Sequence, residues 1–253
     1  MMRNGHDCPT PNHDANSTMT DTTFDRTIDW NDYWHESTDV AEDDANGGAT
    51  LLLDPFTEFL AKNDGLESYA DVGCGGGAVV FDVADRYPDA TVVGYDAVEP
   101  VLALNRERAR EVGTENVAFE RAVLPEFDPG RQFEVVSALY TLCYVADVER
   151  ALRTLYDAVA PGGFLVFTYH NRFARSIFES IAESPHEHLD ESSAWSPETF
   201  ADRFELVIEG ENLLSYERIH DALGTWPRSV WSVTEENERY PAWQQNPFVY
   251  VPK

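Results

Sequence analysis

Apolar residues recur at helical spacing from Ala49 through Leu51, Leu52, Phe56, Phe59 and Leu60, and Gly65 closes the run. The period then shortens. Compact runs at 69–72, 91–95, 117–121, 133–138 and 164–168 predict five strands. The stretches between them predict helices: one over 78–87, one entered through Pro100 and running to about Val112, and one in which Leu152, Leu155, Tyr156 and Val159 share a face. Asp147 is placed to cap that third helix, and Pro161-Gly162-Gly163 to stop it. Strands alternating with helices in this way predict an α/β fold on a parallel, doubly wound sheet. Past His170 the rhythm breaks. Helices are predicted over 175–182 and 197–203, then a strand over 204–209, an irregular aromatic stretch and a closing strand over 247–251.

This pattern divides the chain. Residues 1–28, rich in Asn, Asp, Thr and Ser, are expected to form a disordered arm. Residues 29–65 hold the aromatic island Trp30-Asn31-Asp32-Tyr33-Trp34, an acidic loop and the first helix, and read as an N-terminal cap. Residues 66–170 are the alternating core, and 171–253 complete the sheet and add an aromatic insertion on the substrate side. All six tryptophans lie outside the alternating core.

Charge changes the picture most. Asp and Glu number 46 against 18 Lys and Arg, a net charge of −28, and only Lys62 and Lys253 are lysines. Such a surface repels itself unless salt screens it, and the Debye length falls to ~3 Å at 1 M. The expectation is therefore a halophilic chain in a salt-loaded cytoplasm. Acidity also disfavours nucleic acid as a partner. No apolar run approaches the ~18–20 residues of a membrane span, and the first residues lack the apolar stretch of a secretory signal. Cys8, Cys74 and Cys143 are scattered and form no C-x-x-C, so neither a disulfide framework nor a metal site is expected.

Open parallel sheets bind ligands beyond the carboxyl ends of their strands, which selects 73–77, 96–98, 122–126, 139–145 and 169–172 as the candidate site. The glycine run Gly73-Cys74-Gly75-Gly76-Gly77 leads into a helix and allows close backbone approach to a ligand. Gly73-x-Gly75-x-x-Ala78 also satisfies a dinucleotide fingerprint. Asp71, however, stands where a dinucleotide binder would carry an apolar residue. A carboxylate there needs donors or a cationic ligand to offset its desolvation.

Asp71-Val72-Gly73-Cys74-Gly75-Gly76-Gly77 resembles the D-x-G-C-G-x-G motif of class I S-adenosylmethionine-dependent methyltransferases. Asp96 at the end of the second strand, the fourth strand 133–138 and the turn Ala160-Pro161-Gly162-Gly163 match that family's order over residues 50–170. The resemblance implies a mostly parallel seven-stranded sheet with helices on both faces and the last strand antiparallel. It also implies methyl transfer from S-adenosylmethionine. Gly73, Cys74, Gly75 and Gly77 would line the methionine half of the cofactor, and Asp71 would steady them. Asp96 would hold the ribose, with Ala97 under the adenine and Ala138 nearby. Val123 stands where relatives commonly carry an adenine-binding Asp.

Tyr144 and His170 are the candidate general bases, should the acceptor have to lose a proton. Trp30, Tyr33 and Trp34 are expected as a lid over the cofactor or as satellite core, and residues 216–245 as a wall for the acceptor. The acceptor is expected to be a small molecule. The alternatives are an RNA or protein acceptor on the same scaffold, a non-catalytic binding module, and a nicotinamide-dependent dehydrogenase.

Overall fold

The computed structural model describes residues 24–36, 49–62, 65–190, 192–234 and 245–253. A seven-stranded sheet runs through it in the order β3-β2-β1-β4-β5-β7-β6. The strands are β1 (Ser68–Val72), β2 (Thr91–Asp96), β3 (Val117–Arg121), β4 (Phe133–Ala138), β5 (Val159–Thr168), β6 (Arg228–Ser229) and β7 (Phe248–Pro252). The first five are parallel, and β7 runs antiparallel to both β5 and β6.

The helices are α1 (Trp30–Glu36), α2 (Ala49–Ala61), α3 (Ala78–Arg86), α4 (Glu99–Val112), α5 (Val148–Asp157), α6 (Arg172–Glu183), α7 (Pro185–His188), α8 (Phe200–Arg203), α9 (Glu205–Glu209) and α10 (Tyr216–Leu223). Among the described residues none is long and apolar enough to cross a membrane.

Alternation along each strand feeds two cores, because successive side chains point to opposite faces. Tyr69, Val92, Val135, Val166 and Phe248 enter one core with Phe56, Val80 and Leu102 of α2, α3 and α4. Ala70, Val93, Val136, Leu165 and Val249 enter the other with Leu152 and Leu155 of α5 and Ile219 of α10. The predicted caps are in place. The Asp147 side chain accepts from Arg150 N, and Pro100 occupies the first turn of α4.

A third cluster forms a lobe beyond the sheet, where Phe178, Phe200, Phe204 and Val207 pack together with Trp195 against them. Here the strand predicted over 204–209 is instead helix α9, ended by Gly210 in the left-handed region. Phe204 and Val207, three apart, turn to the same cluster, and burial overrides the strand-like alternation. The sheet takes the short β6 as its sixth strand. The fifth strand is longer than predicted, because Pro161-Gly162-Gly163 lie within β5 rather than ending a helix. Residues 216–223 are helical and pack against α5.

Part of the predicted arm, residues 24–28, packs on the fold. Phe24 and Ile28 pack against the first core. Arg26 pairs with Glu205, Glu209 and Glu211, and Thr27 Oγ1 donates to the Arg203 carbonyl at 3.2 Å. The rest of the arm and most of the acidic loop lie outside the described residues.

Phe178 joins the outer lobe to the fold: its ring lies 4.8 Å from Phe204, 5.4 Å from Phe200 and 5.1 Å from His170. Phe178→Ala is expected to cost about 3–5 kcal/mol in chemical unfolding. A loss below about 1 kcal/mol would mean that the cluster collapses to refill the space.

Candidate functional site

At the carboxyl end of β1 the chain turns sharply, and Gly73 and Gly75 take φ of +80° and +49°. Only glycine adopts such values without strain. A Cβ on Gly73 would stand 2.2 Å from Thr141 Oγ1, so the loop can lie close to the β4 turn only if it is bare. Gly73 N and Cys74 N both donate to the Tyr95 carbonyl, at 2.7 and 2.9 Å, fastening the loop to β2. Asp96 completes the link: Oδ2 accepts from Gly75 N at 2.9 Å and Oδ1 from Val98 N at 3.0 Å. Burial pushes this carboxyl above its ordinary range, and the backbone donors pull it partly back.

These loops floor a cavity of about 380 Å³ at the carboxyl edge of the sheet, where the strand order reverses between β1 and β4. Gly73, Gly75, Asp96, Ala97 and Val98 line one part, and Ala122, Val123, Leu124 and Pro125 make an apolar wall. Leu139, Tyr140, Thr141 and Tyr144 come from the turn after β4. Trp30 and Trp34 of α1, with Phe24, Asp25 and Thr27 ahead of it, complete the lining. The Trp34 ring meets the glycine loop, with Cζ2 3.1 Å from where a Gly75 Cβ would be.

Four of the five strand-end segments predicted from sequence therefore contribute to the cavity, and of the individually predicted residues Gly73, Gly75, Asp96, Ala97, Val123 and Tyr144 line it. The others take different places. Gly77 caps α3 and Ala138 lies in the second core. The Cys74 thiol is buried and pushed well up by desolvation, a state unsuited to a nucleophile. Tyr33 packs edge-on against Trp30 and Trp34 from outside the lining, while both tryptophans belong at once to the core and to the cavity wall. The described part of 216–245 is absent from the lining; Trp226 stacks on His220, and Trp231 packs in the first core.

Of the two candidate bases, Tyr144 lines the cavity and His170 is not among the lining residues. The Tyr144 ring faces the cavity, but its hydroxyl oxygen accepts from Arg203 Nε at 3.2 Å, and burial drives the phenol upward despite the guanidinium. His170 turns toward Phe178 in the outer lobe, with Nδ1 buried and without a hydrogen-bond partner. Desolvation lowers it to about 4, so it is neutral at ordinary pH. Sequence reasoning missed Phe24, Asp25 and Thr27. The available signal was Phe24 and Ile28, two large apolar residues closing an otherwise polar arm. Among the described residues no His, Cys, Asp and Glu group could hold a metal.

Asp71 lies beneath the loop and outside the lining. Its Oδ1 accepts from Ser137 Oγ at 2.6 Å, and Ser137 in turn meets Tyr69 Oη at 2.6 Å. The register sets this up, because Ser137 and Gly94 flank Asp71 on the neighbouring strands. Desolvation raises Asp71 to about 7; the Ser137 bond opposes the rise and Asp96 adds to it.

Three comparisons bear on this arrangement. A family profile described as "Methyltransferase domain" matches residues 70–165. Aklanonic acid methyltransferase DauC of Streptomyces sp. (strain C5) is 30% identical over 154 residues, 56% of this chain and 68% of that protein. Demethylmenaquinone methyltransferase of Thermus thermophilus is 36% identical over 107 residues, 42% of this chain and 49% of that protein. The chain spans about half the length of this relative and of the ubiquinone-biosynthesis O-methyltransferases it matches. In fold, it resembles the N-methyltransferase NodS from Bradyrhizobium japonicum WM9, at a TM-score of 0.59 and 12% identity, covering 90% of this chain and 99% of that one.

The raised Asp71 generates a pH dependence. Below about pH 4 the group is protonated in both folded and unfolded chains, and burial costs it little. As pH rises toward 7 the unfolded chain releases the proton first, so folding loses on the order of 4 kcal/mol at this group. Asp71→Asn, which keeps an acceptor for Ser137, is expected to match the parent stability near pH 4 and exceed it near pH 8. Urea unfolding at both values measures this; an offset independent of pH would contradict it.

Proposed function

The chain belongs to the class I S-adenosylmethionine-dependent methyltransferases, and from that premise we propose that it moves a methyl group from S-adenosylmethionine to a small-molecule acceptor. The observation that carries this reading is Asp96, buried at the cavity edge with one oxygen on the glycine loop and the other on the turn after β2. The carboxylate has acceptor sites beyond these two bonds with which to meet a ribose. The residues fit the cofactor in other respects. Gly73 and Gly75 leave backbone open where side chains would intrude, and Ala97, Val98 and Ala122 to Pro125 offer a flat apolar slot for a base. The dinucleotide alternative falls with family membership.

When bound, the cofactor supplies an already activated methyl group on a sulfonium, so the protein's contribution is mainly orientation and exclusion of water. Trp30, Trp34 and Phe24 add apolar surface to the lining. Arg203 fixes the Tyr144 ring as part of the wall through its bond to the phenol oxygen. The likeness to a methyltransferase named for aklanonic acid, a small molecule, supports a small acceptor over a macromolecular one. Asp96→Ala is expected to weaken S-adenosylhomocysteine binding by roughly ten- to hundredfold in calorimetry, since bonds to a charged acceptor contribute ~1.5–3 kcal/mol. Unchanged affinity would move the ribose elsewhere.

The net charge of −28 supports a halophilic protein of a salt-rich cytoplasm. Its unfolding temperature is expected to rise as KCl increases from about 0.1 M to about 3 M, because screening relieves carboxylate repulsion. A midpoint unchanged over that range would remove the halophilic reading.

A further inference from the structure

Resting on the methyl-transfer reading above, we propose that the acceptor is an organic amine, recognised by Asp25 and Asp147 of the cavity lining. Every charged residue in the lining is acidic: Asp25, Asp96 and Asp147. No Lys, Arg or His is among the lining residues. A carboxylate or phosphate acceptor would meet repulsion there with no cation to receive it, whereas an ammonium would be attracted.

The aromatic wall agrees in sign. Aromatic faces attract cations through the ring quadrupole. The Arg203 guanidinium lies 4.8 Å from the Trp30 ring centroid and 5.9 Å from that of Tyr144, so part of that attraction is already used on those rings. Trp34 also lines the cavity and meets Gly75 through its ring edge.

Methyl transfer to an amine balances as follows. The ammonium form first gives a proton to water. The nitrogen lone pair of the free amine then bonds to the methyl carbon, and the carbon–sulfur pair remains on sulfur as the neutral thioether. The product is the N-methylated ammonium, which sheds its extra proton to water.

Asp25 is held in place by its neighbours. Asp25 and Thr27 face the cavity, while Arg26 between them pairs with Glu205, Glu209 and Glu211 on the outer lobe. Arg26 thus ties the backbone that carries Asp25 to the outer lobe.

The test loads the protein with S-adenosylhomocysteine in about 1 M KCl, where a Debye length of about 3 Å suppresses attraction to the acidic surface at large. Benzyltrimethylammonium, benzyl alcohol and benzoate are then titrated in turn. The cation is expected to bind at least about tenfold more tightly than the alcohol, and benzoate more weakly than either. Asp25→Asn with Asp147→Asn, which retains a side chain able to cap α5, is expected to abolish most of the cation's advantage while S-adenosylhomocysteine binding persists. Equal binding of the three probes, tighter binding of benzoate, or an undiminished cation preference in the double variant overturns the amine assignment alone. Failure of S-adenosylhomocysteine to bind overturns the methyl-transfer reading and the amine assignment with it.

Discussion

Asp96 is buried where β2 ends, with one carboxylate oxygen on the glycine loop after β1 and the other on the turn that starts α4. Burying a carboxylate is costly unless hydrogen bonds replace its water. Those two backbone donors meet much of that cost, and in doing so they fix the separation of the two loops. The Tyr95 carbonyl repeats the fastening from the same strand, accepting from Gly73 N and Cys74 N. The cavity floor is thus rigid before any ligand arrives, which limits the ordering cost of binding.

The cavity roof comes from parts of the chain distant in sequence. Trp30 and Trp34 are packed as core and also line the cavity, so site closure and stability share the same side chains. Arg203 lies over Trp30, Tyr33, Tyr144 and Phe204, joining the outer lobe to α1 and to the turn after β4. Arg26 adds a second tie through the acidic side chains around α9. Removing either arginine would disturb the wall at Trp30 and Tyr144 more than the glycine loop, because neither touches that loop or Asp96 in the bonds described above.

The core strands were legible because both faces of a parallel sheet are buried and leave continuous apolar runs. The glycine loop, Pro100 and the Asp147 cap were legible because local geometry demands those residue types. The segment 204–209 was not, since Phe-Glu-Leu-Val-Ile-Glu satisfies both periods and only the outer lobe decides between them. The strand-end rule located Tyr144 and His170 but gave no side-chain direction; a guanidinium 59 residues along the chain took the Tyr144 hydroxyl, and Phe178 drew His170 outward. The inward-facing part of the arm was hidden for a similar reason, as the partners of Arg26 lie about 180 residues away in the chain.

The account centres on Asp96 as a prebuilt acceptor for a ribose beside the glycine loop. A crystal structure with S-adenosylhomocysteine tests that most directly. The expected result has both ribose hydroxyls donating to Asp96, the base against Ala97 and Val123, and the amino-acid end along Gly73 and Gly75. A ligand bound outside this cavity, or a ribose that leaves the Asp96 carboxylate untouched, would contradict it.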